Sequence, residues 1–333
     1  MKQALYVVLQ DMTTKKVKCF LCPHTCNIMP GKTGICRARK NIDGILYSLT
    51  YNKFTSINMD PIEKKPLYHF YPGKGILSVG TIGCNFRCSF CQNWEISQAD
   101  FDDSSLTELS PDAAVVLAQK YKSIGIAYTY NEPLINFEWI LDTSKLARKK
   151  SLKNVLVTNG YINQEPLEEL LPYIDAANID VKFFNDESYE KMCGGHLEPV
   201  LKTVETCLKK NVHIELTNLI IPGENDSKEE IENLVKWIAS LNNKIPLHFS
   251  RYFPQYKLDT PPTEKKTLVE AYEIAKKHLK YVYIGNVNDF NYSNTLCDKC
   301  GGVLIERQGY ATHFKNFDKG KCNKCGQEAK IIS

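Results

Sequence analysis

Between residues 75 and 287 the chain alternates short apolar runs with longer stretches in which apolar residues recur every three or four positions. The runs are GILSVGTI (75–82), GIAYTY (125–130), NVLVTNG (154–160), AANIDVKF (176–183), HIELTNLIIP (213–222), PLHFSRYF (246–253) and YVYIGNV (281–287). Each is rich in β-branched or aromatic residues and is bounded by Gly, Asn or Pro, which predicts a strand. The helical stretches carry start signals of their own. In SPDAAVVLAQKYKSIG, Ser110 stands as N-cap before Pro111, whose fixed φ and missing N–H suit the first helical position. DSKEEIENLVKWIASL offers a cap at Asp226 or Ser227, acids in the first turn, then apolar residues at helical spacing. TEKKTLVEAYEIAKKHL follows the same pattern. Strands alternating with helices predict βα units and a parallel sheet. Six or more such units can curl into an α/β partial barrel of (βα)6 type, whose chemistry gathers where the strands' carboxyl ends meet the βα loops.

The flanks differ from this core. Residues 1–75 hold a cysteine cluster, the aromatic and β-branched stretch ILYSLTYNKFTSINM, and then DPIEKKPLYHFYPG; residues 291–333 are turn-rich and again cysteine-bearing. The expected division is therefore 1–75, 76–290 and 291–333. With 43% hydrophobic residues, 24% charged and a net charge of +4, the chain reads as globular. That charge alone does not argue for nucleic acid. No signal peptide or membrane-length apolar stretch is visible, so a cytoplasmic protein without membrane contact is expected.

Thirteen cysteines change the picture. Eleven fall into three groups: Cys19, Cys22, Cys26 and Cys36; Cys84, Cys88 and Cys91; Cys297, Cys300, Cys322 and Cys325. In a reducing compartment such grouping means metal more often than disulfides. Cys207 fits a buried helix position, and Cys193, in the Gly-rich MCGGH, reads as an ordinary turn residue. The central group lies in GTIGCNFRCSFCQN, on the loop after the first core strand. Three thiolates leave one metal position open. The spacing is not that of a usual catalytic zinc site, and thiolates also suit iron–sulfur clusters.

The C-x3-C-x2-C loop resembles the signature of the radical S-adenosylmethionine (SAM) enzymes. That resemblance implies a 4Fe–4S cluster on Cys84, Cys88 and Cys91 whose fourth iron binds SAM. Reductive cleavage of SAM then gives a 5′-deoxyadenosyl radical that abstracts hydrogen from a substrate. It further implies that Phe90 lies near the adenine. Glu132 and Pro133 of YTYNEP match a Gly-Gly-Glu-Pro turn that receives the methionine amino group; Thr129, Tyr130 and Asn131 depart from its glycines, yet the resemblance still implies that their backbone acceptors bind the cofactor. Thr158 and Asn159 fall at the rim of the third strand, where the resemblance implies that Asn159 binds the cofactor. Asp180 and Lys182, two residues apart in NIDVK, point to one face and suit ribose hydroxyls and a carboxylate, as in the activating enzymes of glycyl radical enzymes. His248 and Arg251 are candidates for adenine, ribose or substrate.

DPIEKKPLYHFYPG, SVGTIGCNFRCSFCQNWEISQ and CFLCPHTCNIMPGKTGICRAR together resemble the AmmeMemoRadiSam radical SAM enzymes, which act with Memo-like and AMMECR-like proteins. A flavodoxin or ferredoxin is the electron donor this implies. A glycyl radical enzyme activase of the pyruvate formate-lyase type is the alternative reading. A metal-stabilised binding or scaffold protein is another, though no basic and aromatic face suggests nucleic acid. The C-terminal CDKCG and CNKCG knuckles predict a zinc-ribbon-like site, with rubredoxin-like iron the alternative. The N-terminal quartet fits zinc or an auxiliary iron–sulfur cluster, with His24 a possible substitute ligand.

Overall fold

The computed structural model describes all 333 residues. Eight strands form the central sheet: β1 (Ser56–Pro61), β2 (Gly75–Gly80), β3 (Gly125–Tyr128), β4 (Lys153–Thr158), β5 (Ala176–Asp180), β6 (His213–Ile220), β7 (Leu247–Arg251) and β8 (Val282–Gly285). They lie side by side in sequence order and the sheet does not close. β1 pairs antiparallel with β2, while β2 to β8 are parallel throughout. Helices α1 (Pro111–Lys120), α2 (Phe137–Lys149), α3 (Gln164–Leu170), α4 (Leu197–Lys209), α5 (Lys228–Asn242) and α6 (Lys265–Lys276) fill the connections between parallel strands. Six βα units followed by a seventh parallel strand thus make the partial barrel.

Two of the three helix starts are capped as the sequence predicts, whereas α6 starts after Glu264, which makes no side-chain cap bond, and Thr263 Oγ1 donates to Ile220 O instead. Ser110 Oγ accepts from Ala113 N, and of the two candidates before α5 it is Ser227 whose Oγ accepts from Glu230 N. Every strand of the parallel set stops two or three residues before its apolar run does. The reason is backbone turning at the carboxyl ends. Tyr130 has φ 74° and Gly160 has φ 70°, left-handed values that break the ladder. Residues that extend the period-two pattern, such as Thr129–Tyr130 and Asn159–Gly160, form the barrel rim instead.

The sheet begins at Ser56, ahead of residue 76, and the segment after β1 closes the bottom of the barrel. Buried Glu215 of β6 accepts from Tyr68 N at 2.9 Å and His69 N at 2.7 Å, and Asn178 Nδ2 donates to Pro66 O at 2.8 Å. The C-terminal module docks on this floor. Buried Arg307 sits 4.1 Å from the Tyr68 ring centroid and donates to Tyr68 O at 2.7 Å, and Tyr71 N donates to Ile332 O at 2.6 Å. DPIEKKPLYHFYPG is therefore a plug that joins barrel to tail.

At the other end of the chain, two small antiparallel sheets cover one flank: Val7–Asp11, Lys16–Cys19 and Asn27–Ile28; and Lys2–Gln3, Arg39–Ile42 and Ile45–Ser48. They are fastened to α2 by a buried ion pair between Arg39 and Glu138, with Leu5 N donating to Glu138 and Arg39 donating to Leu5 O. No helix is long and apolar enough to cross a membrane.

Candidate active site

The loop after β2 carries Cys84, Cys88 and Cys91 across the carboxyl ends of the strands. Three asparagines fix its path. Asn131 Oδ1 accepts from Thr81 N at 3.0 Å while its Nδ2 donates to Gly83 O at 2.7 Å. Asn85 Nδ2 donates to Tyr161 O at 2.7 Å, and Asn159 Nδ2 donates to Asn85 Oδ1 at 2.9 Å. From the far side, Arg87 N donates to Cys193 O at 2.7 Å and Ser89 N to Met192 O at 3.1 Å. Gly195 is required there, because a Cβ would lie 2.3 Å from the Phe86 ring.

Two of the three sulfurs meet donors. Phe86 N–H points to Cys84 Sγ at 3.3 Å, Asn159 Nδ2 lies 3.8 Å from the same sulfur, and Ser97 Oγ is 3.2 Å from Cys91 Sγ. Such donors favour an anionic sulfur. Without a metal the thiols are held neutral. Burial pushes Cys84 far above its ordinary value and raises Cys91. Contact with the Cys193 thiol, then burial, raises Cys88. A bound cationic centre is what such thiols need in order to ionise. No three of these sulfurs come within 4.8 Å of one another, so the trio is not shaped for a single ion.

Asp180 and Lys182 flank the loop. Their side chains meet at 2.8 Å, and Lys182 N donates to Tyr189 Oη at 3.0 Å. Burial by itself would lower the Lys182 ammonium. Asp180 outweighs it and holds the group well above its usual range. Phe90 is buried against Phe183, ring centroids 5.9 Å apart.

The other expected residues are placed differently. Glu132 is buried and accepts from Leu134 N at 3.0 Å, Thr158 Oγ1 at 2.7 Å and Asn159 N at 2.7 Å. It ties β3 to β4, and burial pushes its carboxyl up to about 7. The Thr129 N–H and C=O are both taken by backbone bonds, to Val79 O and from Asn131 N. Tyr130 turns its hydroxyl back to Asp60, with Lys65 Nζ 4.4 Å from its ring centroid. His248 does not join the cysteine loop. Its Nε2 lies 2.7 Å from Glu215 Oε2, and its ring stacks on Tyr283 within the floor network. Arg251 is likewise committed, its Nε donating to Thr263 O at 2.7 Å.

Sequence reasoning missed two elements of the rim. One is the Met192–Cys193 turn; its Gly-Gly pair was the available signal. The other is the loop after β7, where Lys257 N donates to Ser89 O at 2.9 Å and Tyr256 stacks on Trp94 at 5.3 Å. Nothing local in PQYKLDTPPT announces that contact.

The outer groups contrast. In the tail, Cys297 and Cys325 sulfurs are 3.6 Å apart and Cys300 and Cys322 are 3.8 Å apart, with all four within 4.8 Å of one another. Zinc–thiolate bonds of about 2.3 Å place tetrahedral sulfurs about 3.8 Å apart, so this quartet fits one ion. In the N-terminal group, burial chiefly, then Cys36, Cys19 and Cys26, raises Cys22; burial pushes Cys36 up to about 11.

Residues 78–238 match the family model described as the Radical SAM superfamily. The chain is 43% identical to an uncharacterized protein of Methanocaldococcus jannaschii, over 100% of both. It is 26% identical to a putative glycyl-radical enzyme activating enzyme of the same organism, over 66% of this chain and 92% of that one. It is 27% identical to the pyruvate formate-lyase-activating enzyme of Clostridium pasteurianum, over 60% and 91%. Among solved structures, Streptococcus suis SuiB bound to S-adenosylmethionine aligns with TM-score 0.52 at 14% identity, over 67% of this chain and 54% of that one. A radical SAM methyltransferase from Sphaerobacter thermophilus aligns with TM-score 0.50 at 15% identity, over 65% and 67%. These two likenesses concern the fold.

Proposed function

The chain belongs to the radical SAM superfamily and is homologous to glycyl-radical enzyme activating enzymes, and from that premise we propose that Cys84, Cys88 and Cys91 hold the catalytic 4Fe–4S cluster. The observation that carries this reading is a trio of thiols on one loop at the strands' carboxyl ends, spread too widely for a single ion and each of two sulfurs facing an N–H or O–H donor. When bound, the cluster and SAM together supply the radical that abstracts hydrogen from a substrate.

The chain's own residues bind, orient and exclude water. Lys182, kept charged by Asp180, offers a cation to a carboxylate. Asp180 has a second carboxylate oxygen for ribose hydroxyls. Phe90 and Phe183 supply an apolar wall on which a purine can pack. Glu132 and Asn131 act through the backbone, fixing the Thr129–Asn131 turn and the cysteine loop at one distance from each other. Trp94 and Tyr256 cover the loop from the β7 side. In this reading Glu132, His248 and Arg251 are not cofactor ligands.

A flavodoxin or ferredoxin supplies the electron in a cytoplasmic setting, and the tail quartet holds structural zinc. The AmmeMemoRadiSam system, with its Memo-like and AMMECR-like partners, is the proposed context, supported by the motif set that spans the chain. A second reading, activation of a glycyl radical enzyme, is favoured by similarity to activating enzymes over nine-tenths of their length. It predicts a persistent protein radical when the chain is mixed with such an enzyme.

The test is direct. Anaerobically reconstituted protein given SAM and dithionite should release 5′-deoxyadenosine, and Cys88→Ala should abolish this. Undiminished release by that variant would remove the cluster from these cysteines.

A further inference from the structure

We propose that Cys19, Cys22, Cys26 and Cys36 bind an iron–sulfur cluster, and that this cluster passes electrons to the Cys84–Cys91 loop. The spread of the sulfurs separates this site from a zinc knuckle. The tail quartet has the close contacts of a one-ion site, whereas no three of the N-terminal sulfurs, nor His24 with two of them, fall within 4.8 Å of one another. The four cysteines instead line one pocket, whose wall also includes Arg39 and Asn85 and is otherwise mostly apolar. In an iron–sulfur cluster the thiolates bind different irons and inorganic sulfide fills the middle. Four thiols spread around one mostly apolar pocket suit that arrangement. Arg39 directs Nη1 at Cys19 Sγ from 3.8 Å, a donor of the kind that stabilises cluster thiolates.

The position of the pocket gives the cluster its role. Its wall and the catalytic loop share Asn85. His24 Nε2 lies 2.7 Å from the Asn85 carbonyl oxygen, so His24 is occupied as a link between them. The Cys36 carbonyl rests on Gly83, where a Cβ would come within 2.3 Å of that oxygen and where φ is 92°. Gly83 and Asn85 are the two neighbours of Cys84. A ligand of the outer site thus touches the loop one residue from a ligand of the inner one. One electron from a reduced flavodoxin- or ferredoxin-class donor reduces the outer cluster, which is reoxidised as the inner cluster is reduced.

The cluster is tested by metal analysis of a variant with Cys84, Cys88 and Cys91 all changed to Ala, purified without oxygen. Roughly two to four iron per chain with matching sulfide should remain, beside one zinc. Two zinc without iron, or no iron in a chain with wild-type circular dichroism, overturns the assignment. The wild-type protein gives an independent reading. After reduction it should show two paramagnetic cluster signals, of which SAM shifts one; a single signal that shifts entirely overturns it. The relay rests on the function proposed above, whereas the metal analysis does not. In Cys19→Ser/Cys36→Ser, SAM cleavage should fall at least about tenfold more with reduced flavodoxin than with dithionite. Equal losses with the two reductants, or no loss with flavodoxin, refute the relay.

Discussion

Thr158 Oγ1 donates a 2.7 Å hydrogen bond to Oε1 of Glu132, a buried carboxyl whose three partners are all neutral donors. Burial outweighs these bonds and sets its pKa at about 7, above the ordinary 4.5. The folded state therefore holds this proton more tightly than the unfolded chain. Its contribution to stability is full below pH 4.5, declines as pH rises and is gone above about 7. The loss is of order 3 kcal/mol at most. Urea unfolding between pH 4.5 and 8 should show it, and Glu132→Gln should flatten that part of the profile.

Asn131→Ala removes the bonds to Thr81 N and Gly83 O together. Leaving those buried groups unpaired should cost about 1–3 kcal/mol. Iron retention by the Cys84–Cys91 loop should fall, while the metal content of the tail quartet stays the same. Paired iron and zinc assays distinguish a local effect from general unfolding.

Gly195→Ala drives a methyl group into the Phe86 ring. Either the ring or the Met192–Gly195 turn must move, at about 1–3 kcal/mol. The expected result is a lower unfolding midpoint and slower SAM cleavage. Gly223→Ala serves as comparison, since its left-handed φ of 77° is also strained but no atom lies within 4 Å of the new Cβ. It should lose stability without selective loss of cleavage.

Arg307→Met takes a buried cation from between Tyr68, Thr295 and Glu63. Glu63 is then left buried without its charge partner, a change that typically costs about 3–5 kcal/mol. Limited proteolysis should release the tail from the floor. Removing the metal proposed for the tail quartet with a chelator should have the same outcome, because the tail's own core is small. Cluster absorption from the Cys84–Cys91 loop should persist in both cases.

Local order in this protein is written locally. The Ser110–Pro111 and Ser227 caps, the seven parallel strands and the spacing of three cysteines on a loop are set within windows of a few residues, by hydrogen bonding and periodicity that the sequence displays directly. Tertiary structure alone decided that Glu132 bonds across to β4 and that His248 belongs to the floor with Glu215. It alone decided that DPIEKKPLYHFYPG is the plug between barrel and tail. The two cysteine quartets make the same point. Both offer four thiols, yet one draws its sulfurs to contact and the other spreads them around the wall of a pocket. That difference comes from packing between residues far apart in the chain, because sulfur-to-sulfur distance depends on how the supporting segments meet, and spacing along the sequence does not record it.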